Sequence, residues 1–198
     1  MKKRNLLLAT TLTTALIFTG CNSKNDENSQ STQSKETTNQ NNTQTTQQTD
    51  LKPAFDFTAK DINGKEVKLS DFKGKKVYIN VWASWCGPCK IEMPGLEKVY
   101  QKNKNNNDLV FLSITSPSDK EFKNSKPADQ DKETILGLAE QKKITYPILF
   151  DVNDRFMINY SVRSFPTHIF VNSDGTLAEQ AVGVMDESTL ENKISKLT

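Results

Sequence analysis

The sequence predicts an α/β layered domain on a mixed central sheet, and three observations carry that expectation. Beyond residue 51, apolar β-prone runs alternate with stretches of helical spacing. The last two β-prone runs flank the short turn Ser173-Asp174-Gly175, which makes them an antiparallel pair. A final amphipathic stretch, Glu187 to Leu197, closes the chain as a helix.

The elements follow in order. Phe55-Asp56-Phe57 and Glu66-Val67-Lys68-Leu69 alternate apolar and polar around Asn63-Gly64, which predicts an added N-terminal β-hairpin. Ser70-Asp71-Phe72 reads as a short helical turn. Val77 to Trp82 is a nearly continuous β-prone run, as a central strand covered on both faces requires. Cys86 to about Lys102 has helical spacing at Ile91, Leu96, Val99 and Tyr100, and Pro94 is expected to kink that helix. Leu109 to Thr115 is a second buried strand and Lys132 to Lys143 a helix. Ile148 to Phe150 is a short strand, and Asp154 to Tyr160 is helical. Thr167 to Val171 and Thr176 to Val184 form the closing hairpin. Ser116 to Asp131 is polar, holds Pro117 and Pro127, and takes no element. A loop of that length in a compact domain is usually functional or mobile.

The first fifty residues do not read as globular. Met1-Lys2-Lys3-Arg4 is followed by a mostly apolar run of 15 residues, Leu6 to Gly20. About 20 residues are needed to cross a bilayer, so the run reads as the core of an export signal spanning 1–20. Thr19-Gly20-Cys21 then resembles a bacterial lipobox, where the chain is cut before the cysteine and a lipid is attached to its sulfur. Phe18 departs from that pattern, which usually has leucine at this place. An uncleaved anchor and an ordinary signal are the alternatives. Asn22 to Asp50 contains no aliphatic or aromatic residue, so segment 21–50 is expected to be a lipid-anchored polar tether. Its random-coil reach is roughly 30 Å.

Residues 51–198 form the domain, long enough to bury a core unaided. The chain has 26 Lys and Arg against 24 Asp and Glu, and three of the basic residues belong to the leader. That balance leaves no nucleic-acid footprint.

With Cys21 assigned to lipid, the chain keeps two cysteines, Cys86 and Cys89, and one histidine, His168. A zinc site needs about four ligands. A structural disulfide closing so short a loop constrains the unfolded chain little. Redox chemistry remains the stronger reading. A cysteine at a helix start meets unpaired amide groups and the positive end of the helix dipole, both of which favour thiolate. Cys86 is therefore the expected nucleophile. Cys89, one turn deeper and on the same side, is the expected resolving cysteine. Pro88 in the first turn costs little, because its missing donor has no partner there anyway. Trp85 is expected to border the site, Trp82 to pack, and His168 to be structural.

Trp82-Ala83-Ser84-Trp85-Cys86-Gly87-Pro88-Cys89-Lys90 resembles the thioredoxin active-site segment. Ser70-Asp71-Phe72-Lys73-Gly74-Lys75 and Glu92-Met93-Pro94 are similar to the TlpA/ResA-like redoxins exported by bacteria. Arg163-Ser164-Phe165-Pro166-Thr167 resembles the lipid-anchored thioredoxin-like proteins of Gram-positive bacteria. The resemblance implies a thioredoxin fold and a redox-active Cys86–Cys89 disulfide with no cofactor and no metal. It implies a cis Pro166 where sequence alone favours trans, with Trp85, Gly87, Pro88, Phe165 and Pro166 in the substrate groove. Asn80 stands where thioredoxin has a buried aspartate, and Glu92 stands where the TlpA/ResA-like proteins have a glutamate, which would accept the proton of Cys89. A solvated helix glutamate is the alternative.

The function so implied is extracytoplasmic thiol–disulfide exchange, as a reductase of protein disulfides on the membrane's outer face. By resemblance, a surface methionine sulfoxide reductase is one substrate, and an integral-membrane thiol carrier is the electron donor. The rivals are a disulfide-forming oxidase, a copper-binding chaperone on the same fold, and a non-catalytic binding module.

Overall fold

The computed structural model describes residues 51–198. The expected leader 1–20, the expected lipidation at Cys21 and the expected tether 21–50 fall outside the described residues. Seven strands form one sheet in the order β2-β1-β5-β4-β3-β6-β7. The strands are β1 (Thr58–Asp61), β2 (Glu66–Lys68), β3 (Lys76–Val81), β4 (Leu109–Thr115), β5 (Ile148–Asp151), β6 (Thr167–Val171) and β7 (Leu177–Val182). The helices are α1 (Gly87–Asn103), α2 (Lys132–Gln141), α3 (Arg155–Asn159) and α4 (Glu187–Ser195). Strands β3, β4 and β5 run parallel, and the remaining pairings are antiparallel, so the sheet is mixed.

Strand periodicity divides the core. On β3, Val77, Ile79 and Val81 face a cluster with Phe57, Ile114 and Phe156, the last from α3. Tyr78 faces the other way, into a cluster with Leu96 and Val99 of α1 and Leu190 of α4. A third cluster joins Trp82, Cys86, Cys89 and Met93 to Ile135 and Ala139 of α2 and to Phe150 of β5. The end of the central strand and the start of α1 thus sit in one apolar environment.

Several boundaries differ from the sequence reading. The N-terminal hairpin turns around Asn63-Gly64, with Gly64 at φ +82°, but its first strand is Thr58–Asp61. Phe57, read as strand, precedes it and is fully buried against Phe156, their rings 5.2 Å apart. Alternation had marked burial one element too early. The helical turn is a 3₁₀ segment, Leu69–Phe72. Strand β3 stops at Val81, although Trp82 N–H still bonds Ile114 O at 3.2 Å. Ile91 was counted among the apolar positions of α1 and is 74% exposed. The buried stripe is instead Cys89, Glu92, Met93, Leu96 and Val99, which follows the i, i+3, i+4 spacing more closely. Helix α1 runs through Pro94 as one element.

Candidate active site

Strand β3 hands the chain to α1 through a tight turn, with Cys86 N–H bonded to Ala83 O at 3.0 Å. Cys86 is the N-cap of α1, and its Sγ accepts the Cys89 N–H at 3.1 Å. Gly87 and Pro88 fill the first two helical positions, where a proline loses no helical bond. Cys86 and Cys89 are joined by a disulfide, their Cα atoms 5.3 Å apart. Exposure does not separate the two sulfurs as the sequence suggested, since Cys86 is 2% and Cys89 0% exposed. Position separates them. Cys86 stands at the amide-rich helix terminus, which favours thiolate. Cys89 shares the same apolar cluster but lies inside the helix, with its own N–H turned back to the Cys86 sulfur.

Beneath the pair lies a polar seam. Asn80 on β3 is directly opposite His168 on β6, so both side chains project to the α1 face. Glu92, one turn beyond Cys89, enters from α1 and is buried, not solvated. Its Oε1 accepts from Asn80 Nδ2 at 3.0 Å, and its Oε2 accepts from Met185 N–H at 3.1 Å. His168 Nε2 lies 3.4 Å from Oε2. Tyr78 borders the seam. Burial, and after it the charge of Glu92, holds its phenol well above the usual tyrosine value.

The rim is built by two aromatic rings and a loop. Trp85, 57% exposed, meets Phe165 edge-on with centroids 5.9 Å apart. The Phe165–Pro166 peptide is cis, as the resemblance implied, and Pro166 is buried. Beyond Phe165 runs a groove of about 420 Å³ lined by Lys126, Ala128, Met157, Val162 and Arg163. Trp82, by contrast, is fully buried.

The segment 116–131, which the sequence left without an assignment, holds the turn before Cys86. Asp129 accepts from Ser84 N–H at 2.8 Å and from the Ser84 hydroxyl at 2.5 Å. Ala128 O accepts from Trp85 Nε1 at 2.8 Å. Asp154 in turn accepts from Ser125 and Lys126 N–H, and Asn124 accepts from Asp154 N–H. The loop is therefore tied at both of its faces. No motif marks Asp129 in the sequence, and its one signal is an acid in a long polar loop. His168 was read as structural, and its seat in β6 with two ring hydrogen bonds fits that reading. Its closeness to Glu92 follows from strand register, which the sequence does not display.

Among the described residues, no group of three or more His, Cys, Asp or Glu side chains is arranged to hold a metal. No helix there is long and apolar enough to cross a membrane.

Burial, the largest influence, lifts Asp129 above the ordinary aspartate value. The folded state then binds that proton more tightly than the unfolded chain, so stability from this group falls as pH rises through its folded value. Asp129→Asn is expected to flatten that part of the stability–pH curve. Asp129→Ala, which orphans Ser84, is expected to cost about 1–3 kcal/mol in denaturant unfolding and to red-shift Trp85 fluorescence. An unchanged spectrum with an unchanged curve would show that the loop does not hold the turn.

The redoxin family matches residues 47–194 of this chain. Thioredoxin-like protein YneN of Bacillus subtilis is 32% identical over 139 residues, covering 70% of this chain and 75% of its own. Thiol-disulfide oxidoreductase ResA of Bacillus cereus is 29% identical over 148 residues, covering 74% of this chain and 78% of its own. Among solved structures, the exposed lipoprotein thioredoxin Etrx1 of Streptococcus pneumoniae superposes with a TM-score of 0.59 at 29% identity, covering 72% of this chain and 100% of its own. With a disulfide at the start of α1, beside a cis proline in a mixed sheet, the chain belongs to the redoxin family as a thiol–disulfide oxidoreductase of thioredoxin fold.

Proposed function

We propose that this protein is a lipid-anchored reductase of protein disulfides on the extracytoplasmic side of the membrane. Cys86 attacks, Cys89 resolves, and Glu92 serves Cys89 as its base. The observation that carries the reading is the Glu92 carboxylate, buried one helical turn beyond Cys89 and held by two neutral donors. Asn80 exchanges no proton, and Glu92 is the carboxylate that stands one helical turn beyond Cys89.

The Cys86 thiolate attacks one sulfur of a substrate disulfide, forming a mixed disulfide and releasing the first substrate thiolate. Glu92 takes the Cys89 proton, and the Cys89 thiolate attacks Cys86 Sγ. The second substrate thiolate leaves, and the substrate has gained two electrons. A donor dithiol then reduces the Cys86–Cys89 disulfide, and the leaving Cys89 thiolate recovers its proton from Glu92. Trp85, Gly87, Pro88, Phe165 and Pro166 form the substrate groove. The residues between the cysteines, Gly87 and Pro88, support the reducing direction, since they are the pair of thioredoxin itself.

Residues 1–20 serve as the signal, Cys21 carries the lipid, 21–50 form the tether and 51–198 the catalytic domain. The pneumococcal neighbour is described as an exposed lipoprotein, in keeping with this arrangement. Electrons come from an integral-membrane thiol carrier, and a surface methionine sulfoxide reductase is the first candidate substrate.

Cys89→Ser leaves a nucleophile with no resolver and is expected to accumulate mixed disulfides with native partners, which non-reducing gels and mass spectrometry will identify. Cys86→Ser is expected to trap far fewer, and equal trapping by both variants removes the assigned order. The anchor has its own test, because Cys21→Ala is expected to leave the membrane fraction or to be misprocessed. Normal processing and membrane retention of that variant would overturn the lipoprotein assignment.

A further inference from the structure

His168 has no part in the exchange steps above, yet its position is specific. It is fully buried, and it is the one basic side chain within ion-pair distance of Glu92 among the described residues. Its two ring nitrogens face different chemistry. Nε2 lies 3.0 Å from Gly183 O and 3.4 Å from Glu92 Oε2, both acceptors, so Nε2 carries a hydrogen. Nδ1 lies 2.8 Å from the Tyr78 hydroxyl, which donates to it while the ring is neutral. When the ring gains a second proton at Nδ1, the phenol oxygen becomes the acceptor.

We propose that His168 is a positioning residue for the resolving step, its ring acting through Glu92 to set how readily that carboxylate takes the Cys89 proton. The inference rests on the reading of Glu92 as the base for Cys89. The groups that face the pair are few. Tyr78 and Asn80 come from β3, Tyr146 from the approach to β5, and Met185 N–H from the segment between β7 and α4. Burial and the charge of Glu92 keep both phenols protonated through neutral pH. Asn80 and the amide do not titrate, which leaves Glu92, His168 and Cys89 as the seam's exchangeable groups.

A carboxylate deprived of water is stabilised by a neighbouring cation, and a neutral neighbour leaves it more basic. Protonated His168 therefore keeps Glu92 ionised and weakens it as a base. Neutral His168, its Nε2–H bonded to Gly183 O, leaves it a stronger one. The cycle needs no proton exit from the seam, because the proton taken from Cys89 during resolution returns when the disulfide is reduced again.

The test is the pH profile of the resolving step, followed as decay of a preformed mixed disulfide between Cys86 and a small aromatic thiol, in wild type, His168→Gln, Glu92→Gln and the double variant. Glutamine offers an amide donor toward Gly183 O and Glu92 but cannot titrate. The expected results are loss of one ionisation from the profile in His168→Gln, which keeps a neutral donor beside Glu92, and a rate at neutral pH close to that of wild type. The double variant is expected to be no slower than Glu92→Gln alone, while Cys86 alkylation in the reduced protein stays unchanged. A His168→Gln profile identical to wild type, or losses that add in the double variant, overturns the inference while a slow Glu92→Gln leaves the base assignment standing. If Glu92→Gln resolves at the wild-type rate, the base assignment falls and takes this inference with it. Should His168→Gln fold poorly, His168→Asn is measured in the same way, and retention of both ionisations there contradicts the proposal equally.

Discussion

A cysteine that caps a helix puts its sulfur among amide groups lacking intrahelical partners, and Cys86 does so at the start of α1. The site depends on this placement. Once Cys86 is the cap, the helical repeat puts Cys89 one turn on with its amide pointing back at the Cys86 sulfur. The same repeat brings Glu92 inward a further turn along, while Ile91 between them is left facing outward. One helix start thereby brings Cys86, Cys89 and the Glu92 carboxylate together along α1. The helix is oriented by its own stripe, with Met93 in the cluster around the disulfide and Leu96 and Val99 in the cluster shared with α4.

The carboxylate in that line sets the second constraint. A buried charge is costly unless donors surround it, and two elements supply them here while a third sets a ring alongside. Strand β3 supplies the Asn80 amide, the segment before α4 supplies the Met185 N–H, and β6 brings His168 alongside. These contacts span the sheet and the α1 layer above it, so the seat of that carboxylate is tied to the global fold. The rim is held differently, by the 116–131 loop through Ser84 and Trp85. Trp85 on that rim is thus held by hydrogen bonds from a distant loop, while Phe165 packs against the core.

Much of the architecture was legible in the residues. The alternation of β-prone and helical runs gave the layers. Ser173-Asp174-Gly175 marked a hairpin, and the mixed sheet followed. The misplaced strand at Phe55–Phe57 has a clear cause, because alternating burial before a strand resembles the strand itself. Ile91 failed for a related reason, as apolar character at roughly helical spacing does not by itself name the buried face. At the site, Cys86 and Cys89 were readable from their spacing alone. The cis state of Pro166 was available only through resemblance. The neighbours of Glu92 were not readable, since Asn80 and His168 are 88 positions apart in sequence and meet only through β3–β6 register. Asp129 was hidden for the same reason, as its partner Ser84 lies 45 residues away.

The reduction potential of the Cys86–Cys89 pair, measured by equilibration with a thiol buffer of known potential, tests the reductase account most directly. A helix-terminal cysteine linked through Gly87-Pro88 to a buried partner, in a site that holds a proton for the resolving thiol, is expected to lie nearer the roughly −270 mV of thioredoxin than the roughly −120 mV of a strong oxidase. A value above about −150 mV would contradict the account and assign the protein to disulfide formation.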